Sequence, residues 1–491
     1  MILLDALHAL MSFDVLVSVV VGTVSGIIIG GMPGLTATMA VALLIPVTFS
    51  FSPLIGLSLM GGVYAGAMYG GSIPAILLST PGTPAAAATA IEGYPLSKQG
   101  KGGLALKVSV VASFIGGTFS VIVLLMLAPV LAKFALKFGP AEYFVLALMG
   151  LTGVISVSSG GLVKGILSGL IGLIIALIGT DPMTGSLRYT FGFEELYEGV
   201  SFMPALIGMF SVAQILELTG EPVSKGDNID FKSIKREKMP KGLMPAVWLG
   251  TFIGTLVGIV PGEGATIAAF ISYNVAKQKS KLKKLFGKGN PEGIAAAEAG
   301  NNACVGGSLV PLLTLGIPGN TVSAALMGGL MIQGLIPGPE LFTKYGVITY
   351  GFILSLFLAN IVFLIVGLFF APYFAKISQI STPILIAAIS VFAIVGSYSI
   401  NNSLFDVWLM LIFAVVGFFL DKMQYSLSAI ILGMILGPIA ESGFTQALTI
   451  SSGSSSIFFE STTVKVLWII VIGLLVQPII GHIRAKNDED D

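Results

Sequence analysis

The stretch that decides the fold reads GTVSGIIIGGMPG from Gly22 to Gly34, and it returns as GTFIGTLVGIVPG from Gly250 to Gly262. Gly22, Thr23, Gly26, Gly30, Pro33 and Gly34 each meet the same residue 228 positions later. A second echo follows in each half. GGSIPAILLSTPGT at Gly70–Thr83 corresponds to GGSLVPLLTLGIPGNT at Gly306–Thr321, the offset drifting to 236–237 through short insertions. A third pairs APVLAK at Ala128–Lys133 with APYFAK at Ala371–Lys376, offset 243. The best-matched parts are glycine and proline interruptions of apolar segments.

The composition says where such segments live. Of 491 residues 55% are hydrophobic and 10% charged, with a mean hydropathy of +0.96; soluble domains carry about 25% charge. Apolar runs at Val108–Val130, Phe144–Val157, Ile348–Ala371 and Val464–Ile480 approach or reach the length of a bilayer core. The expectation is an all-α polytopic membrane protein of roughly 10–14 membrane segments, some broken or re-entrant. The 62 glycines and 24 prolines favour close helix packing and helix breaks. A duplication carried by such breaks is the pattern of a transporter built from two repeats, its site lying where the interruptions meet.

Lys and Arg are distributed unevenly. Residues 1–97 contain none, whereas residues 221–290 hold twelve of the 25, on both sides of the second copy of the first motif. Later the bias reverses: Lys98, Lys101 and Lys107 follow the second motif of the first half, against Lys344 alone in the second. Cytoplasmic loops collect Lys and Arg, so equivalent loops are expected on opposite sides of the membrane and the repeats inverted; parallel repeats with drifted charges are the alternative. The division expected is a membrane repeat at 1–219, a cytoplasmic linker at 220–242, a second membrane repeat at 243–483 and a polar tail at 484–491. The N-terminus is expected outside and without a signal peptide, since no basic region precedes its apolar run.

Each interruption carries the same chemistry. Proline removes a backbone donor and glycine permits turned-back dihedrals, and broken backbone at membrane depth is tolerated only where it is buried or lines a polar cavity. A helix restarting after the break points free N–H groups at that cavity, and helix N-termini favour anions. The candidate substrate site therefore comprises Pro33, Gly34 and Thr36; Thr80, Pro81, Gly82 and Thr83; Pro261, Gly262 and Glu263; and Pro318, Gly319, Asn320 and Thr321. No Lys or Arg lies in these four motifs, so an anion there must be met by dipoles, hydroxyls, amides and co-bound cations. Carbonyls freed at the same breaks offer sodium ligands. The bland reading is that Pro-Gly kinks helices for packing; recurrence in duplicated register argues against it.

Nearby polar residues complete the set. Ser72 and Ser308 fall at the same place in the two GGS echoes, with packing of small residues as the competing role. Asn301 supplies a side-chain carbonyl and amide. Glu263, whose aligned position in the first half is Leu35, is either an ion or proton ligand or a group reaching the cytoplasmic side. Glu92, Glu142 and Glu298 are intramembrane suspects, but each sits near an expected helix end, where a solvated acid is the commoner explanation.

Enzyme patterns fail. GYPLSKQGKGG lacks the spacing of a phosphate loop, and neither G-x-S-x-G, H-E-x-x-H nor paired carboxylates stand out. A single cysteine, Cys304, excludes an intrachain disulfide; two histidines near the ends leave no metal cluster, and no cofactor is expected beyond a coupling ion. Nothing points to nucleic acid. The strings GTVSGIIIGGMPGLTATMAVALLIPVTF, YGGSIPAILLSTPGTPAAAATAIEGYPLSKQGKGGLAL, FGPAEYF and EAGNNACVGGSLVPLLTLGIPGNTVSAALMGGLMIQGLIPGPELF resemble, over nearly the whole chain, the large membrane subunit (TctA) of the tripartite tricarboxylate transporter family. That resemblance implies a sodium-driven secondary transporter in the cytoplasmic (inner) membrane importing a di- or tricarboxylate such as citrate. It also implies two partners, a small four-helix membrane subunit (TctB-like) and a periplasmic or lipid-anchored solute-binding protein (TctC-like). A homodimer is a further expectation, with Val108–Val130 and Ile348–Ala371 as a stationary scaffold and the break-containing segments moving as a unit. The alternatives are proton coupling through Glu263 or an uncoupled anion channel.

Overall fold

The computed structural model describes residues 2–32, 34–156, 158, 160–219, 238–262, 264–374, 380 and 382–490, with backbone alone from 477 onward. Pro33, Glu263 and most of the expected linker, 220–237, lie outside the described residues. The described chain is helical apart from short connections and one two-stranded ribbon, Gly179–Thr180 with Leu187–Arg188. The first half runs α1 (Ile2–Leu10), α2 (Phe13–Gly30), α3 (Ala37–Leu44), α4 (Pro53–Gly70), α5 (Ser72–Leu78), α6 (Ala86–Leu96), α7 (Gly102–Ala135), α8 (Pro140–Ser156), α9 (Gly161–Ala176), α10 (Phe202–Leu206) and α11 (Ala213–Leu218), the last two joined by a π-helical turn at Ile207–Val212. The second runs α12 (Met244–Ile259), α13 (Gly264–Lys279), α14 (Pro291–Leu315), α15 (Thr321–Ile332), α16 (Glu340–Thr343), α17 (Gly346–Phe374), α18 (Thr382–Asn401), α19 (Leu404–Lys422), α20 (Leu427–Ile450), α21 (Ile457–Glu460) and α22 (Thr462–Asp490). Among the described residues seven helices are long and apolar enough to cross a membrane; Ala37–Ser50, Met244–Ile259 and Thr321–Ile332, which adjoin breaks, are shorter.

Both halves use glycine in the same way. Gly22, Gly26 and Gly30 of α2 lie against Leu59, Val63 and Ala67 of α4, and a methyl group on any of them would collide with the facing carbonyl oxygen. The contacts rise together along both helices, so α2 and α4 run parallel. Between them the chain must return, and α3 is that return: α2 and α3 form a re-entrant hairpin with Gly31, Gly34 and Thr36 at its tip. Gly250, Gly254 and Gly258 of α12 repeat this against Ala296, Gly300 and Cys304 of α14, with α13 as the returning arm. Small residues allowing backbones to touch are how helices associate inside a bilayer.

The contacts also correct the register of the second echo. Gly82 packs on Gly71 and Gly30, as Gly319 packs on Ser308 and Gly258. Gly71, not Ser72, therefore holds the place of Ser308, a constant offset of 237. One residue is about 100° around a helix, so the two serines face different surroundings. Equivalent helices meet antiparallel: Tyr64 and Met68 of α4 bond Ser308 and Asn301 of α14 respectively, and on α7 and α17 Gly117 packs on Asn360 while Val110 packs on Gly367.

Packing divides the helices into two groups. α7 lies against α14 through Gly116 on the Ala299 carbonyl and Gly306 on Ser120, and α17 packs on α4 and α7. The expected scaffold segments Val108–Val130 and Ile348–Ala371 thus pack directly on the break-bearing helices, α7 through backbone contacts with α14 and α17 through Gly61 and Gly351 at its crossing with α4. The second group joins α8, α9, α20 and α22 on one side and α10, α11, α18 and α19 on the other. Apolar side chains such as Val17, Val21, Phe252, Leu256, Ile365, Phe392 and Ile412 are exposed, the surface a bilayer covers.

Candidate functional site

The four breaks meet. A cavity of about 240 Å³ is lined by Thr36, Ala37 and Thr38, by Thr83, Pro84 and Ala85, by Gly264, Ala265 and Thr266, and by Asn320, Thr321 and Val322. These are the first residues of α3, α6, α13 and α15 or their immediate approaches, so four helix N-termini face one space. Met68, Phe210 and Ser428 close it. No described lining residue is charged.

Local chemistry explains each start. Thr36 Oγ1 accepts from Met39 N at 3.2 Å and caps α3. Asn320 Oδ1 accepts from Ser323 N at 2.8 Å while Ser323 Oγ accepts from Asn320 N at 2.9 Å, a reciprocal capping box. The chain enters α15 through Gly316 at φ 71°, a left-handed conformation suited to glycine. Gly262 N donates to Gly319 O at 2.8 Å, joining two tips, and Gly82 N donates to Gly71 O, at the α4–α5 junction, at 3.1 Å. Across the repeats, Thr38 Oγ1 and Thr321 Oγ1 stand 2.8 Å apart. The Tyr64 hydroxyl accepts from Asn320 Nδ2 at 2.8 Å and stands 3.0 Å from Ser308 Oγ. Thr83 differs: its Oγ1 is buried with no hydrogen-bond partner, beside a cavity that has room for one.

The expected site residues thus divide. Thr36, Thr83, Asn320 and Thr321 line the cavity. Gly82, Gly262 and Gly319 lie buried behind it as tip contacts; Ser308 and Asn301 brace α14 against α4, Asn301 Nδ2 donating to Met68 O at 2.9 Å. Gly34 sits at φ 82° beside Leu218 and Gln214. Thr80 and Pro81 are exposed, and Pro261 and Pro318 are not among the lining residues. Ser72 faces away, bonded to Tyr69 O and to Ser109 Oγ, both at 2.8 Å.

Several residues escape a reading of the breaks alone. Phe210 arrives on the π-helical turn, and Ser428 in the first turn of α20; neither stands in a repeated motif. Glu92 and Glu298 are fully buried rather than solvated at helix ends. Glu92 accepts from Tyr273 Oη and from the backbone N–H groups of Gly287, Gly289 and Asn290, which fixes the loop before α14. Glu142 fits the helix-end expectation, accepting from Gly139 N and Ser461 Oγ.

A second cavity of about 220 Å³ shares Thr36, Phe210 and Ser428 with the first and adds Gln214, Glu217, Asp421, Lys422 and Tyr425. The polar space continues through it toward the ends of α11 and α19. In the other direction α3 and α15 pack together, and Gln333 Nε2 donates to Thr48 O at 2.8 Å.

The model of the tripartite tricarboxylate transporter TctA family matches residues 16–432. A protein of Agrobacterium vitis, described as an uncharacterized 52.8 kDa protein in the TAR-I ttuC' 3' region, is 36% identical over 473 residues, which span 96% of this chain and 94% of its own. A second from the same organism, in the TAR-II ttuC' 3' region, is 35% identical over 236 residues, 48% of this chain and 98% of its own. No solved structure matches. With its apolar helices, duplicated breaks and family match over most of its length, the chain belongs to the TctA family, the large membrane subunit of tripartite tricarboxylate transporters.

Proposed function

We propose that this chain is the permease of an ion-gradient-driven importer of small carboxylates, working by alternating access. The observation that carries the reading is the meeting of four helix N-termini at one cavity with no described charged side chain on its wall. Free N–H groups and aligned dipoles there suit an anion, with Thr36, Thr83, Thr321 and Asn320 as side-chain donors. The small volume suits a compact organic acid such as a di- or tricarboxylate better than a drug-sized ligand. Sodium is the proposed coupling ion. A TctB-like small subunit and a TctC-like binding protein are the proposed partners, following from membership of a tripartite system.

Orientation follows from charge. The end of the bundle holding Lys98, Lys101, Lys277–Lys288 and Lys422 is the basic one, with Gln99 Nε2 bonded to Lys288 O across it; the other end keeps Lys133, Lys137, Arg188, Lys344 and Lys465. The basic end is proposed to be cytoplasmic. Antiparallel meeting of α4 with α14 and of α7 with α17 supports inverted repeats, and the second cavity then makes this an inward-facing arrangement. The test is uptake of labelled citrate by proteoliposomes carrying the permease, the small subunit and the binding protein. Accumulation is expected only with an inward sodium gradient. Gradient-independent equilibration would instead make the protein a channel, and uptake driven equally by a proton gradient would replace sodium.

A further inference from the structure

Away from the cavity, α14 carries Glu298 into a fully buried polar cluster. Its carboxylate accepts from Thr89 Oγ1 of α6, from Ser113 Oγ at 2.9 Å and from Ser109 Oγ at 3.3 Å, both on α7. Ser72 Oγ stands 2.8 Å from Ser109 Oγ, and Asn302 Nδ2 donates to Ser113 Oγ at 2.8 Å. Asn302 Oδ1 is buried with no partner. All six residues are at most 1% exposed, and among the described residues no Lys, Arg or His bonds the carboxylate. Hydroxyls alone compensate poorly for a carboxylate removed from water.

The internal repeat shows that the fold does not require this cluster. By the register of the helix contacts, Glu298 corresponds to Gly61, Ser72 to Leu309 and Thr89 to Leu326, while the APVLAK echo aligns Ser109 with Phe352 and Ser113 with Leu356. In that half the same crossing is apolar: Gly61 packs directly on Phe352 and Leu356. One copy closes the crossing with a phenylalanine and a leucine; the other places a carboxyl, four hydroxyls and an amide there.

We infer that Glu298, Thr89, Ser72, Ser109, Ser113 and Asn302 form a binding site for one monovalent alkali cation, with sodium as the ligand. Hard oxygen ligands and one negative charge match such an ion, and the orphan Asn302 carbonyl is a ready ligand. The site deepens the transport reading by locating the coupling ion, and its role in coupling rests on that reading; its binding does not. Linkage to the substrate has a physical path. The approach to α6 lines the cavity with Thr83, α6 itself carries Thr89 in the cluster, and Thr83 packs on Gly71, the neighbour of Ser72.

The test is equilibrium binding of ²²Na⁺ to the purified chain without carboxylate. Saturable binding displaced by sodium but not by choline is expected, weaker by about tenfold or more in Glu298→Gln and several-fold in Ser113→Ala and Asn302→Ala. The conservative Ser113→Thr should recover part of it. Thermal unfolding checks that each variant is folded; Ser113→Ala carries the test if Glu298→Gln is not. No saturable binding to the native chain, or unchanged binding in the folded variants, would overturn the site. Loss of binding in the variants would leave the site standing even if citrate uptake proved independent of sodium, an outcome that would remove only the transport role.

Discussion

At the scale of single residues, Thr83 and Asn320 occupy the same place after Pro-Gly in the two copies yet are held differently. Thr83 Oγ1 has no protein partner, so its hydroxyl contributes nothing to the fold that alanine would forfeit. Thr83→Ala is expected to lower stability only by the loss of one buried methyl group, about 1 kcal/mol, and to raise the apparent KM for the carboxylate about tenfold, as for a lost hydrogen bond to a charged ligand. Asn320 caps α15 and also donates to Tyr64. Asn320→Ala should lower stability by about 1–2 kcal/mol as well as weaken uptake, and thermal unfolding alongside uptake separates the two cases. Normal transport by Thr83→Ala would leave only backbone donors on that wall. Much of this wall is legible in the sequence, because Pro-Gly followed by a hydroxyl or amide announces a helix restart. Glu298 is visible there as an intramembrane acid but not as the centre of a cluster, since its partners arrive from α6 and α7 through packing that no local pattern records. The Ser72–Ser308 pairing fails for a related reason: identical GGS strings hide a one-residue register difference that only the helix contacts reveal.

At the scale of elements, re-entrant hairpins depend on glycine rows that let α2 touch α4 and α12 touch α14. A methyl group at Gly254 would collide with the Gly300 carbonyl oxygen, and backbone on both sides cannot yield. Gly254→Ala is expected to cost about 1–3 kcal/mol and to lower the melting temperature by several degrees. Gly473 of α22 has no atom within 4 Å of the place a methyl group would take, so Gly473→Ala should be neutral or slightly stabilising, glycine being about 1 kcal/mol poorer than alanine within a helix. Equal effects from the two would remove the packing argument. The hairpins themselves are readable as breaks in duplicated apolar runs. What the sequence leaves hidden is which long helices pack with them. α7 and α17 are as apolar as any lipid-facing scaffold, and only their small-residue contacts with α14 and α4 assign them to the break-bearing group.

Across the whole molecule, the two readings of charge and of helix direction make one statement about the membrane: Ser50 and Lys283, both exposed, lie at opposite ends. Single cysteines at these positions should label from opposite faces of sealed cells, with buried Cys304 silent; labelling from one face would refute the inversion. We propose that the partition of the helices sets how the site changes sides. The cavity lies between the break-bearing group and Phe210 and Ser428 of the other group, so one wall can travel while the other stays. An anion matched to fixed helix N-termini would lose those dipoles if it crossed hydrocarbon alone, at a cost of several kcal/mol, and carrying the N-termini with it avoids that loss. Spin labels at Lys101 in the moving group and at Met423 and Ser454, at opposite ends of α20 in the other group, read the motion directly. On passing from inward- to outward-facing conditions, the distance from 101 to 423 should lengthen and that from 101 to 454 should shorten, each by at least about one helical turn, ~5 Å. A pair within the moving group, 101 and 287, should stay constant, because Gln99 and Glu92 tie these loops together. Opening without vertical displacement, seen as a tilt that leaves both long distances unchanged, would replace the moving-wall mechanism with rocking about a fixed site.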